Sequence, residues 1–333
     1  MNCRRQITTR SVTVLVCLAA TLALSVCTKN SIAQGVPVDL TLDMKVPFRF
    51  VVYGDTRFHN PTDTEAANPL ARKVLVKAIA NANPSFICFT GDIVYNGYDA
   101  DDWAVWDRET SEWRGKIPVF PALGNHDLHG APKVALGNYF RRFPDLRESR
   151  YYSVRVANVL ILVLDSSLDE VTGAQGDWLK AKLDHVPPAV RFVLVMDHHP
   201  PYTSSSDKML GGGHSARPKE QALAKVLEER QAAVPYRIVF FSGHVHNYER
   251  HEHGGIIYFV SGGGGAHAYL IERAPGDPFQ SKEINYHYLQ VAVDHDQLDV
   301  TMNRVDFAHG TPVWTSPDSV RITIPKPSAR LIP

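Results

Sequence analysis

The chain has 333 residues, of which 44% are hydrophobic, 10% aromatic and 21% charged, a balance that excludes a disordered tail, a coiled coil and a collagen-like repeat. Lys plus Arg and Asp plus Glu both number 35, so the formal net charge is +0 and a strongly basic nucleic-acid binder is excluded. The length allows one large domain or two small ones, with a sizeable core either way.

The first segment reads as an export signal. Arg4, Arg5 and Arg10 precede an uncharged run from Ser11 to Thr28, and Ser31-Ile32-Ala33 supplies small residues where a signal peptidase reads. Cleavage is expected before Gln34. The run is also just long enough for a retained membrane anchor. Cys27 follows Val26, a poor lipidation context, and Arg4-Arg5 is only a fragment of a twin-arginine signal. The leader holds Arg4, Arg5, Arg10 and Lys29 and no acid, so removing these four leaves 31 basic against 35 acidic residues. It also takes Cys3, Cys17 and Cys27, leaving Cys88 alone in an apolar run as a buried small hydrophobe, with no intramolecular disulfide. The expected division is a leader over 1–33, a short lead over 34–45 and one domain over 46–333.

Within that domain apolar strands alternate with helices. Phe48–Tyr53 is β-prone, and Leu70–Ala80 has helical spacing, with Leu70, Val74, Leu75, Ala78 and Ile79 on one face. Phe86–Thr90 is a buried strand, Trp103–Trp113 a helix and Ile117–Ala122 a short strand. Tyr152–Val156 and Val159–Leu164, split by Ala157-Asn158, form a hairpin. Asp177–Leu183 is helical, Val190–Met196 a strand, and Pro218 opens a helix running to about Arg230. Tyr236–Phe241 and Ile256–Val260 are strands, and the alternation of Val291, Val293, Leu298, Val300 and Met302 marks half-exposed strands. The pattern predicts one α/β domain with two packed β-sheets flanked by helices.

Five of these strands run into short polar loops: Gly54-Asp55-Thr56-Arg57, Gly91-Asp92-Ile93-Val94-Tyr95, Gly124-Asn125-His126-Asp127, Asp197-His198-His199-Pro200-Pro201-Tyr202 and Gly243-His244-Val245-His246. The carboxyl ends of strands in an α/β sheet line the binding crevice. The five loops can therefore meet, bringing carboxylates, a phenol, an amide and imidazoles without thiolate. That donor set suits zinc, manganese or iron. Seven or eight ligands exceed one tetrahedral zinc and suit two ions sharing a carboxylate, roughly 3.5–4 Å apart. Along a strand-like segment, His244 and His246 face one side while Val245 faces the other.

The ordered set resembles the calcineurin-like metallophosphoesterases, and within them is most similar to the purple acid phosphatases. The stretches Gly91–Tyr95 and Gly243–Arg250 carry that likeness best, and the resemblance spans about Phe48 to Val305. It implies a β-sandwich with βαβ units and two metal sites. Asp55, Asp92, Tyr95 and His246 would hold the first, and Asp92 would bridge to a second completed by Asn125, His198 and His244. His199 is then outside the ligand set or faces solvent. Purple acid phosphatases usually have glycine at Arg57, and other relatives have a ligating histidine there. Arginine cannot ligate, so it is either a bidentate phosphate clamp or a surface cation beside the acids.

The implied activity is an exported, periplasmic or secreted, dinuclear-metal phosphomonoesterase working by metal-bridged hydroxide attack on phosphorus. Iron with zinc or manganese is the expected pair, two zinc or two manganese ions the alternatives. His126 leads as proton donor to the leaving oxygen, and His214, after Gly211-Gly212-Gly213, is the second candidate. The run Gly262–Gly265 permits close backbone approach beside the metals; His251, His253 and His267 are left unassigned. The partner is a small phosphoester, with no nucleic acid, and a membrane only if the leader is retained. Two other readings stay open: a phosphodiesterase acting on cyclic nucleotides or phospholipid headgroups, and a non-catalytic metal-binding protein of this fold.

Overall fold

Runs that are apolar on both faces become central strands of two sheets in the computed structural model, which describes residues 35–208 and 214–324. The leader and glycines 211–213 lie outside the described residues. One sheet has the order β1 (Asp39–Leu42), β5 (Tyr152–Val156), β6 (Val159–Val163), β7 (Phe192–Met196), β8 (Arg237–Ser242), β10 (Ile256–Ser261) and β9 (Tyr248–His253). The other runs β13 (Thr311–Thr315), β12 (Gln297–Ala308), β11 (Tyr286–Val293), β2 (Phe48–Tyr53), β3 (Ile87–Phe89) and β4 (Val119–Pro121), with β14 (Ser319–Thr323) also on β12. Strands β2, β3 and β4 pair parallel, as do β6, β7, β8 and β10. This is the mixed two-sheet architecture that the strand pattern predicts.

Packing follows the period-two alternation of the strands. Phe50, Cys88, Ile161, Leu194, Phe241, Phe259 and Leu289 belong to one buried cluster shared by both sheets. Leu162, Val193, Val195, Ile238 and Phe240 pack instead with Leu179 and Leu183 of α4 (Gly173–Asp184) and Leu223 and Leu227 of α5 (Pro218–Ala233). Cys88 is a fully buried free thiol inside the first cluster, the role expected of it.

Several elements differ from the sequence reading. The lead contributes β1, parallel to β5; its alternating Asp39, Leu40, Thr41 and Leu42 is too short for a periodicity signal. Helix α1 runs Pro69–Ala82, capped by the Asn68 side chain. Helix α2 runs Ala100–Glu109 and not Trp103–Trp113, because Asp99 caps it by accepting from Asp101 N. A further helix, α3 (Pro132–Arg142), had no counterpart in the reading; it buries Ala135, Leu136 and Tyr139 on a narrow face. Strand β9 was hidden by its polar sequence, tolerable on a sheet edge.

His287 on β11 is fully buried; Nδ1 donates to the Asn285 carbonyl and Nε2 accepts from Ser261 Oγ. Burial pushes its pKa down from 6.5 to about 4. The unfolded ring takes up a proton below its ordinary value while the folded ring does not, so folding stability falls as pH drops from 6.5 towards 4. His287→Gln should remove about 3 kcal/mol of that acid-side loss, read from urea unfolding at pH 7 and pH 4; an unchanged difference would contradict it.

Candidate metal centre

The loops gather because their strands end together. Asp55 follows β2, Asp92 follows β3, Asn125 and His126 follow β4, His198 follows β7 and His244 follows β8. Backbone bonds stitch the loops: Asp55 N–H donates to the Gly91 carbonyl, Gly243 N–H to the His198 carbonyl and Gly264 N–H to the Gly54 carbonyl. A side chain at Gly264 would lie 2.2 Å from the Gly54 carbonyl oxygen, and one at Gly262 would lie 2.1 Å from that of Val245 and 3.1 Å from Asp55 Oδ2. The glycine run thus permits close approach, as its composition implied.

Asp55, Arg57, Asp92 and His244 all have positive φ, from 44° to 68°. Non-glycine residues there are strained, by about 1–3 kcal/mol each, and persist where the surroundings over-determine them. Four such residues in one centre mark it as a built site.

Its first half consists of Asp55, Asp92 and His246, all buried, whose ligand atoms lie within 4.8 Å of one another. His246 Nδ1 donates to the His267 carbonyl at 2.8 Å, which leaves the Nε2 lone pair facing Asp55 Oδ1 at 3.7 Å with no hydrogen-bond partner. Asp92 Oδ2 likewise has no hydrogen bond, its neighbour being Arg57 Nη2 at 3.5 Å. Burial and the Asp92 charge push the Asp55 carboxyl well above its usual range. Burial also acts upward on Asp92, but the neighbouring His198 and His126 rings, the Arg57 guanidinium and the His126 backbone N–H hold it well below its usual range. Two buried carboxylates beside an orphaned imidazole lone pair form a donor set that a cation satisfies.

In the second half, His198 Nδ1 donates to the Thr90 carbonyl at 2.8 Å, turning Nε2 towards Asn125 Oδ1 at 3.0 Å and Asp92 Oδ1 at 3.4 Å. His244 Nδ1 lies 3.1 Å from Asn125 Oδ1 and 3.2 Å from His198 Nε2. Burial lowers the pKa of His198, His244 and His246, so all three favour the neutral, metal-ligating form. Both halves therefore fit metal ions by their chemistry. Among the described residues no thiolate joins them, and the mixed O/N set matches iron, zinc or manganese.

The remaining expected residues surround this core. Arg57 pairs with Asp92, and its Nε is a buried donor without a hydrogen-bond partner. The Tyr95 ring stacks on His126 at 5.3 Å, lies 5.0 Å from His59, and has the Arg57 guanidinium 6.0 Å from its centroid. His126 N–H donates to Asp92 Oδ1 at 2.8 Å, and its Nδ1 donates to the Tyr95 carbonyl at 2.7 Å. The His214 ring lies 4.1 Å from that of His244, and the His214 backbone N–H donates to Ser205 Oγ. His267 takes part through its carbonyl, and His251 pairs with Glu249.

Four residues around the centre were given no ligand role by the sequence reading. His199, set outside the ligand group there, has a ring nitrogen within 4.8 Å of His198 and His244 ligand atoms. Tyr269 accepts from the His246 N–H at 3.1 Å, with no motif to announce it. Asp127 sits in a recognised motif, but its work is mechanical: Oδ1 accepts from Ile93 and Val94, Oδ2 from Gly124, tying two ligand loops together. Glu249 similarly holds the loop after His198 by accepting from Thr203 Oγ1 and Ser204 N–H.

Comparisons with known proteins give the family and the fold. A sequence model of the calcineurin-like phosphoesterase family matches residues 48–248. Purple acid phosphatase 23 of Arabidopsis thaliana is 29% identical over 177 residues, covering 50% of this chain and 36% of that protein. Purple acid phosphatase 15 of the same plant is 26% identical over 278 residues, covering 71% and 48%. The chain thus spans less than half the length of these curated relatives. A purple acid phosphatase from yellow lupin (Lupinus luteus) seeds shares the fold at a TM-score of 0.65 and 18% identity, over 84% of this chain and 54% of the lupin chain.

Asp92 touches both halves of the centre. Elemental analysis of Asp92→Asn should show both ions lost together; retention of two tightly held ions would contradict a shared carboxylate.

Proposed function

Because the chain belongs to the calcineurin-like phosphoesterase family, we propose that it is an exported dinuclear-metal hydrolase of phosphomonoesters. The observation that carries this is the convergence of Asp55, Asp92 and His246 on one side and His198, His244 and Asn125 on the other, with buried acceptor atoms lacking partners between them. Asp55, Asp92, His246 and the Tyr95 phenol would hold one ion, and Asp92, Asn125, His198 and His244 the other. Such ions acidify a water and offset phosphoryl charge. Iron with zinc or manganese is the favoured pair, since a tyrosine phenolate suits ferric iron and would colour the protein; two zinc or two manganese ions leave it colourless.

The chain's own residues do the rest. Arg57 meets a phosphate oxygen through its free Nε–H, a charge-assisted bond to the dianion. His126 is oriented by Nδ1–H on the Tyr95 carbonyl, so Nε2 faces the leaving oxygen and, when the ring carries a second proton, is the atom that passes it to the leaving alkoxide and returns to the neutral form. His214, its ring tilted against that of His244 at 4.1 Å, would bond a substrate oxygen. The monoester is favoured over the diester because its dianion, with three unesterified oxygens against two, pairs more strongly with Arg57 than a singly charged diester does. Export rests on the basic start, the uncharged run and Ser31-Ile32-Ala33; the mature chain should have the mass of a polypeptide beginning at Gln34, and an uncleaved mass would leave it as an anchor.

Nitrophenyl phosphate should turn over faster than the bis-nitrophenyl ester, and Arg57→Ala should lower kcat/KM for the monoester by about 100-fold, the scale of a lost bond to a charged group. Faster diester turnover would favour the phosphodiesterase reading. No turnover of either by fully metallated protein would favour the non-catalytic one.

A further inference from the structure

His199 is fixed from below by a network that the hydrolytic reading does not use. Its Nδ1 lies 2.7 Å from Ser166 Oγ. The Ser166 carbonyl in turn accepts from Arg217 Nη2 at 2.9 Å and from Lys219 Nζ, which also donates to the Leu168 carbonyl at 2.6 Å. Lys219 lies 3.4 Å from Glu170 and 3.8 Å from Glu220, two buried acids that form a compact group with Asp197. Arg217 and Lys219 thus hold the Ser166 backbone and form a bed under the imidazole.

That bed aims His199 at the centre. Its ring meets His198 edge-on at 4.9 Å and lies 4.0 Å from the His244 ring. Among the described residues no protein group hydrogen-bonds its Nε2. With Nδ1–H donated to Ser166 Oγ, Nε2 carries a lone pair. This is the arrangement by which a ligating histidine is oriented through its other nitrogen. Donors across one ion are at most about 4.2 Å apart at ordinary metal–nitrogen lengths. The ligand atoms of His198, His199 and His244 all lie within 4.8 Å of one another, a spread that side-chain rotation can close.

We propose that His199 is a further metal ligand of the second site, joining His198 and His244 to give three imidazoles beside Asn125 and Asp92. This rests on the reading that the His198 side of the centre holds an ion. A third nitrogen donor shifts that site's preference towards zinc, cobalt or iron over magnesium or manganese.

The test uses the full-length protein loaded with Co2+, followed by visible absorption during competition with a chelator. Wild type should hold two ions. His199→Asn should release the second at least about tenfold more readily and alter its absorption band, whereas His198→Asn should lose it. Ser166→Ala keeps the ring and frees Nδ1, so it should weaken the same ion by about tenfold even if His199→Asn folds poorly. Wild-type retention and spectra in both the His199 and Ser166 variants, with loss in His198→Asn, would overturn the ligand role alone. Wild-type retention in His198→Asn as well would overturn the second site itself.

Discussion

Two wholly buried carboxylates, Asp55 and Asp92, face an imidazole nitrogen that has a lone pair and no hydrogen-bond donor. Mutual repulsion and desolvation make that arrangement costly unless a proton or a cation sits among them. A proton serves one acceptor at a time. Metal ions serve all of them, including the His198, His244 and Asn125 atoms on the other side of Asp92. The rest of the molecule is organised around holding these acceptors together against their own electrostatics.

The fold supplies the holding force in layers. Parallel strands from two different sheets end at one place, and their hydrophobic clusters fix where those ends lie. Backbone hydrogen bonds then cross from one sheet's loops to the other's, and His198 reaches across to the Thr90 carbonyl. Asp127 ties three amides beneath Asp92, and glycines remove the side chains that would keep the loops apart. Left-handed backbone at four residues of the candidate centre is the cost of this convergence, borne by a core large enough to absorb it.

Much of this was legible in the amino-acid sequence. Asp55, Asp92, Asn125, His198, His244 and His246 stand immediately after apolar runs, so a rule about strand ends sufficed to place them together. Arg57 was legible as a departure from pattern, and its ion pair with Asp92 shows why an arginine is tolerated there. What stayed hidden depended on tertiary contact. Nothing local distinguishes His199 from a solvated neighbour of His198; its burial and fixed orientation emerge only when Ser166, from the preceding strand's end, is set against it. Tyr269 lies beyond the glycine run and meets His246 through a backbone amide, a contact with no sequence period. Helix α3 and strands β1 and β9 were missed because each is short or polar and is stabilised by its neighbours more than by its own pattern.

The central claim is that one buried carboxylate serves two cations. Anomalous diffraction from crystals of the metal-loaded protein, recorded at the absorption edges of the bound elements, tests it most directly. The account predicts two separate peaks in contact with Asp92, one beside Asp55 and His246 and the other beside His198, His244 and Asn125. A single peak, or peaks remote from Asp92 in fully loaded crystals, would contradict it.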